Sequence, residues 1–154
     1  MAADTGFKLT YGTMFNPPEE LHTQFDETLA RMKTHLGQEH AMIIAGEERK
    51  SAEKFENRSP ANTDLVLGIF QKGTAQDAQD AVTAAKKAFP QWSRTPWQER
   101  VALVRKAASL IDQRIFEFGV VLALEVGKNR MEALGDAARY AGDLAFPRFT
   151  PASQ

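Results

Sequence analysis

Apolar residues return every three or four positions along most of this chain, and only its middle third breaks that rhythm. Leu21, Phe25, Leu29, Met32 and Leu36 make one stripe, which predicts an amphipathic helix over residues 16–36. Asn16 is placed to cap it and Pro17 suits a first helical position that needs no N–H donor. Glu19 and Glu20 sit at the positive end of the dipole. Gly37 offers a left-handed stop. Ahead of this helix, residues 1–15 hold no period and read as an extended arm.

The middle of the chain shortens its period. Ala41 to Ala45 predicts a strand running into a turn at Gly46-Glu47, with residues 50–55 returning as its hairpin partner. Arg58 to Thr63 is turn chemistry, in which Pro60 holds Ser59 extended. Leu65 to Phe70 is almost continuously apolar, the pattern of a strand buried on both faces.

From Thr74 onward the helical period resumes. Thr74 and Asp77 form a capping-box pattern before a stripe of Ala78, Ala81, Val82, Ala85 and Phe89, and Pro90 is the expected terminator. Thr95, with Pro96 and Gln98 behind it, predicts a second capped start. Trp97, Val101, Val104, Ala108 and Ile111 are expected to face inward. A third helix spans about 115–126 and ends at Gly127. Asn129 and Glu132 open a fourth, with Met131, Leu134, Ala138 and Ala141 on one side. Residues 147–154 read as a frayed tail. The resulting organisation is an arm and capped helix over 1–37, a main unit over 38–146 and the tail.

Composition narrows what such a fold can do. At 154 residues there is enough chain for one domain with a core. The net charge of −1 leaves no electrostatic footprint for nucleic acid, and no apolar run is long enough to span a bilayer. The absence of cysteine removes disulfides, thiolate metal sites and thiol catalysis from these residues and fits a reducing cytoplasm. Glu125-Val126-Gly127-Lys128 lacks the second glycine and the following Ser or Thr of a phosphate loop, and reads as a helix C-terminus. Gly119, Gly127, Gly135 and Gly142 do not form a dinucleotide turn. His22, His35 and His40 lack a metal-ligand spacing and are expected to be solvated. Phe89, Trp92 and Trp97 cluster around Pro90 and Pro96 as an expected packed helix corner.

Several runs together carry a resemblance. They are Asp77 to Ala85, Ala88-Phe89-Pro90-Gln91-Trp92-Ser93, Glu99-Arg100, Leu124 to Asn129, and Met131-Glu132-Ala133. Over about residues 38–146 the chain resembles the N-terminal part of the aldehyde dehydrogenase family. The helix at 16–36, the Ile44-Ala45-Gly46-Glu47 turn and the Glu125-to-Asn129 form are similar to one branch of that family. That branch, the 1-pyrroline-5-carboxylate dehydrogenases, oxidises L-glutamate γ-semialdehyde in proline breakdown.

The resemblance implies an α/β family fragment that is predominantly helical, with a small β-hairpin and one further strand. It implies an NAD- or NADP-dependent oxidoreductase whose thiolate nucleophile and nucleotide-binding turn lie outside these residues. Neither catalysis nor cofactor binding is expected of the chain alone. It also implies a monovalent cation site to which Glu125 contributes along with backbone near Asn57. Arg139 falls where the branch places an acidic residue toward the substrate. The expectation is a truncated N-terminal segment that self-associates or binds the missing remainder, with neither nucleic acid nor membrane as partner. A non-catalytic helical interaction module and one half of a split dehydrogenase are the alternatives.

Overall fold

The computed structural model describes residues 16–145, so the arm expected over 1–15 and the tail over 147–154 lie outside the described residues. The first helix, α1, spans Glu19–Lys33 rather than starting at Asn16. The cause is the Pro17-Pro18 pair: a residue before proline is driven out of the helical region, so Pro17 cannot open the helix. Pro18 is extended (φ −68°, ψ 152°) and takes the cap position without a side-chain bond, leaving Asn16 no capping role. Gly37 does adopt a positive φ of 75°, but four residues beyond α1, where its N–H donates to the Leu67 carbonyl at 3.1 Å. It turns the chain onto the sheet.

Two small sheets follow. β1 (Glu39–His40) runs parallel to β5 (Val66–Gln71), and β4 (Lys54–Arg58) runs antiparallel to it, in the order β1-β5-β4. β2 (Met42–Ile44) and β3 (Glu47–Arg49) form a separate hairpin with Ile44 opposite Glu47. Its two-residue turn places Ala45 at φ 57° and Gly46 at φ 84°, the doubly positive geometry that matches strand twist. The hairpin partner is therefore Glu47–Arg49 and not the expected 50–55, because so tight a turn starts the return strand at once. Residues 54–58 are recruited by β5 instead. The strand expected alone at 65–70 thus has neighbours on both sides. Only its Gly68 and Gln71 are buried and the rest is half-covered, so burial of both faces is incomplete. Gln71 keeps its amide satisfied by the Ser51 N–H at 2.8 Å, the Glu39 carboxylate at 3.0 Å and the His40 carbonyl at 3.0 Å.

Four helices complete the described chain: α2 (Ala75–Arg94), α3 (Trp97–Gln113), α4 (Ile115–Val126) and α5 (Arg130–Ala145). The fold is predominantly helical, as the pattern implied. Leu21 and Phe25 of α1, Val120 of α4 and Leu134 of α5 form the buried centre, with Leu29, Met32, Phe116 and Leu124 packed around it. Gly119 permits the closest approach, since a Cβ there would lie 2.6 Å from Leu134 Cδ2. Asn129 caps α5 by accepting from the Glu132 N–H at 3.0 Å.

The α2–α3 stretch departs most from its sequence pattern. Thr74 and Asp77 do form a reciprocal capping box. Pro90, however, lies inside α2, which runs on to Arg94. One missing N–H so near the end is tolerable, because the Thr95 N–H closes the last turn onto the Gln91 and Trp92 carbonyls. Thr95 also donates its hydroxyl to the Gln91 carbonyl at 3.1 Å, so it finishes α2 instead of capping α3. Pro96 takes that cap position without a side-chain bond. No residue of α2 is buried, and the expected corner is open: Phe89 and Trp97 are each 64% exposed and Trp92 44%. On α3, Ala108 is buried and Val101 and Ile111 half-buried, while Trp97 and Val104 face out.

Candidate functional site

The residues with binding chemistry meet where the end of β4 faces the end of α4. Asn57 lies beside a register irregularity between Asn57 and Arg58 that ends the regular β4–β5 pairing. Glu125 lies in the last turn of α4. Gly127, in the left-handed conformation at φ 73°, ends that helix, and a Cβ there would meet Pro60 Cγ at 3.3 Å. The loop after β4 therefore packs on the helix end and aligns the two side chains. Asn57 Nδ2 donates to Glu125 Oε1 at 2.7 Å across 68 residues of sequence. The structure thus brings Glu125 to the Asn57 position named from the resemblance, through the Asn57 side chain.

Glu125 and Asn57 sit on the wall of a groove of about 480 Å³ between α1, α4 and the three-stranded sheet. Met32, Leu36, Leu67, Phe70, Val121 and Leu124 give it apolar walls. The far end carries Arg31, Arg114 and Glu117, where Glu117 pairs with Arg114 at 2.7 Å and Arg31 at 3.4 Å. The Arg114–Glu117 pair has the helical i, i+3 spacing and was available to sequence reading; the link to Arg31 was not. A groove with one carboxylate–amide pair at one end and a guanidinium–carboxylate cluster at the other can hold an amphipathic group.

Of the other residues singled out, His35 and His40 also line the groove, whereas His22 and Arg139 lie outside it. His35 is exposed, His40 stacks on Phe70 at 5.0 Å between centroids, and His22 Nδ1 meets Arg130 at 3.0 Å. Among the described residues no three His, Cys, Asp or Glu side chains gather around a possible metal position. Arg139 is exposed and approaches Asp136 at 4.0 Å, away from the groove.

Two clusters were invisible in the sequence because their partners are remote along the chain. Arg130 reaches Asp26 at 2.6 Å and lies 4.5 Å from the Phe25 ring centre, tying α5 to α1. Arg49 of β3 reaches Asp80 at 2.6 Å and Asp77 at 3.5 Å, tying the hairpin to α2. The Thr74 hydroxyl and N–H hold the Asp77 carboxyl below its ordinary value, with Arg49 adding to the effect. For Asp80 the Arg49 guanidinium is the main cause of the same downward shift.

Comparison with known proteins supplies a context for this geometry. The profile described as the aldehyde dehydrogenase family matches residues 47–147. The 1-pyrroline-5-carboxylate dehydrogenase of Staphylococcus saprophyticus is 35% identical over 114 residues, which cover 74% of this chain and 22% of that protein. A mutant 1-pyrroline-5-carboxylate dehydrogenase from Thermus thermophilus superposes with a TM-score of 0.82 at 30% identity, over 90% of this chain and 28% of that one. A Thermus 1-pyrroline-5-carboxylate dehydrogenase with bound NAD gives a TM-score of 0.80 at 32% identity, over 84% of this chain and 25% of its own. The chain therefore spans about a quarter of the length of these relatives.

Proposed function

Since the chain belongs to the aldehyde dehydrogenase family, we propose that it supplies the N-terminal quarter of an NAD(P)-dependent, cytoplasmic L-glutamate γ-semialdehyde dehydrogenase. The observation that carries this reading is the superposition on a 1-pyrroline-5-carboxylate dehydrogenase over 90% of the chain. The family reaction oxidises an aldehyde carbon after attack by a cysteine thiolate. These residues contain no cysteine, so the nucleophile comes from polypeptide outside residues 1–154. The dinucleotide site comes from there as well, since the glycines here make no nucleotide turn.

The groove is this chain's own contribution. Glu125, oriented by Asn57, offers one carboxylate to a monovalent cation. A single carboxylate and neutral oxygens suit an ion of low charge better than calcium, which takes six to eight oxygens and several carboxylates. Among the described residues no helix is long and apolar enough to cross a membrane.

The test is NADH formation from L-glutamate γ-semialdehyde, followed optically. The purified chain is expected to give none above a boiled control, and a complex with polypeptide bearing the family cysteine is expected to give a rate. NADH production by the chain alone would contradict the assignment.

A further inference from the structure

The groove between α1, α4 and the three-stranded sheet has two oppositely charged ends. At one, Arg31 and Arg114 share the single carboxylate of Glu117, which leaves that end at +1. At the other, Glu125 meets the neutral amide of Asn57, which leaves that end at −1. Both charges keep bonding capacity in hand among the described residues. Arg114 donates to Glu117 through Nε, and its two terminal nitrogens carry no protein acceptor. Glu125 accepts from Asn57 at Oε1, and its Oε2 has no donor.

Between the ends the walls are apolar. Met32, Leu36, Val121 and Leu124 supply aliphatic surface. On the sheet side the Phe70 ring is stacked by His40 at 5.0 Å and by Phe55 at 5.9 Å, so it is held in place before anything binds. A space of about 480 Å³ falls within the ~300–1,000 Å³ of small-molecule sites. Glu117 and Glu125 lie eight residues apart on α4, so at ~1.5 Å of rise per residue their backbones stand about 12 Å apart.

We infer that this groove binds a linear organic zwitterion, with its ammonium on Glu125 Oε2, its carboxylate on the terminal nitrogens of Arg114 beside Arg31, and an apolar chain between them. The inference rests on the reading above in which Glu125 takes a monovalent cation, and makes that cation the head of an organic molecule. Charge complementarity sets both the polarity and the length of the occupant. A fatty carboxylate would lay its apolar tail against Glu125, and an alkylammonium would do the same to Arg114; each leaves a charge stripped of water and unpaired. A free α-amino acid carries both charges on one carbon and reaches one end only. A monovalent metal ion satisfies Glu125 and leaves the arginines and the apolar walls unused.

The probe is ω-aminooctanoate, titrated into the isotopically labelled full chain while amide chemical shifts report affinity and place. Millimolar binding is expected, with the amides of Phe70, Val121 and Leu124 moving. Octanoate and octylammonium should each bind about fivefold more weakly, the worth of one partly exposed ion pair. Glu125→Gln should weaken the aminooctanoate complex by the same factor without weakening that of octanoate. Arg114→Gln should weaken aminooctanoate and octanoate without weakening octylammonium. Both side chains are exposed, so neither substitution should cost the fold, which circular dichroism verifies. Glu99→Gln, on α3 outside the groove, should change nothing. Equal affinity for the three probes would show a groove without charge selection and overturn the inference. Glycine or proline binding as tightly as aminooctanoate would overturn the length argument and the inference with it, as would the absence of any shift with aminooctanoate. Potassium chloride moving the amides around Glu125 where aminooctanoate does not would overturn it too, leaving the inorganic-cation reading in place. The dehydrogenase assignment is judged separately, by NADH formation.

Discussion

Helices α2 and α5 begin from similar sequence patterns and end in opposite environments. Each carries small and apolar residues at helical spacing, and each opens with a polar cap, Thr74 for α2 and Asn129 for α5. Yet α5 buries Ala133, Leu134, Ala137 and Ala141, while α2 buries nothing. The stripe shows that a helix has a face to cover, but not what covers it. In α5 the cover comes from within this chain: α3 and α4 pack along it, Gly119 lets Leu134 close in, and Arg130 ties it to Phe25 of α1. In α2 the docking with the rest of this chain is a hairpin and a guanidinium.

The largest effect should come from the covered side. Leu134→Ala removes a side chain that is 1% exposed and should destabilise the chain by about 2–5 kcal/mol, read from chemical denaturation. A loss below about 1 kcal/mol would mean that α4 and α5 do not form the core. Gly127→Val should come next, at about 1 kcal/mol or more, because φ 73° strains any β-branched residue and its Cβ would press on Pro60. An unchanged melting temperature would remove the left-handed cap from the account.

The Arg49 latch gives a smaller and more local effect. Both Asp77 and Asp80 titrate below their ordinary value of 3.8 in the folded chain, mainly through Thr74 and Arg49 respectively. A depressed carboxylate pKa stabilises the fold above the unfolded value and loses that contribution as the pH falls through the folded one. The hairpin–α2 contact should therefore be complete near neutrality and weaken below about pH 4. Arg49→Ala should remove the part of this acid dependence carried by Asp80 and leave the Thr74-held part at Asp77, read by chemical denaturation above and below about pH 4; an unchanged acid dependence would show that it arises elsewhere. The smallest effect belongs to the open face. Phe89→Ser should shift stability by less than about 0.5 kcal/mol, since its side chain is already 64% exposed. A loss comparable to Leu134→Ala would mean that α2 is packed after all.

The same contrast explains how much was legible in the sequence. The Thr74–Asp77 capping box, the Asn129 cap and the Gly127 stop are local chemistry, set by residues three or four apart, and they read directly, whereas Thr95 closes the preceding helix instead of capping the next. The α1 start was misplaced by two neighbouring prolines competing for one position. The hairpin partner was misplaced because a two-residue turn left no room for the strand expected at 50–55. The pairing of Asn57 with Glu125 came within reach only through the family resemblance, as 68 residues separate the two. The Arg49 and Arg130 clusters had no such guide. Exposure of Phe89, Trp92 and Trp97 ran against the pattern, since a sequence specifies apolar faces without specifying their partners.

Hydrogen exchange on the isolated chain, followed by mass spectrometry at peptide resolution, tests the division into a closed core and an open arm most directly. A 20-residue helix with little tertiary cover is marginal in water, whereas buried helices exchange only on wider unfolding. Peptides of α2 should exchange far faster than those of α4 and α5. Protection of α2 equal to that of α5 in the isolated chain would contradict the account.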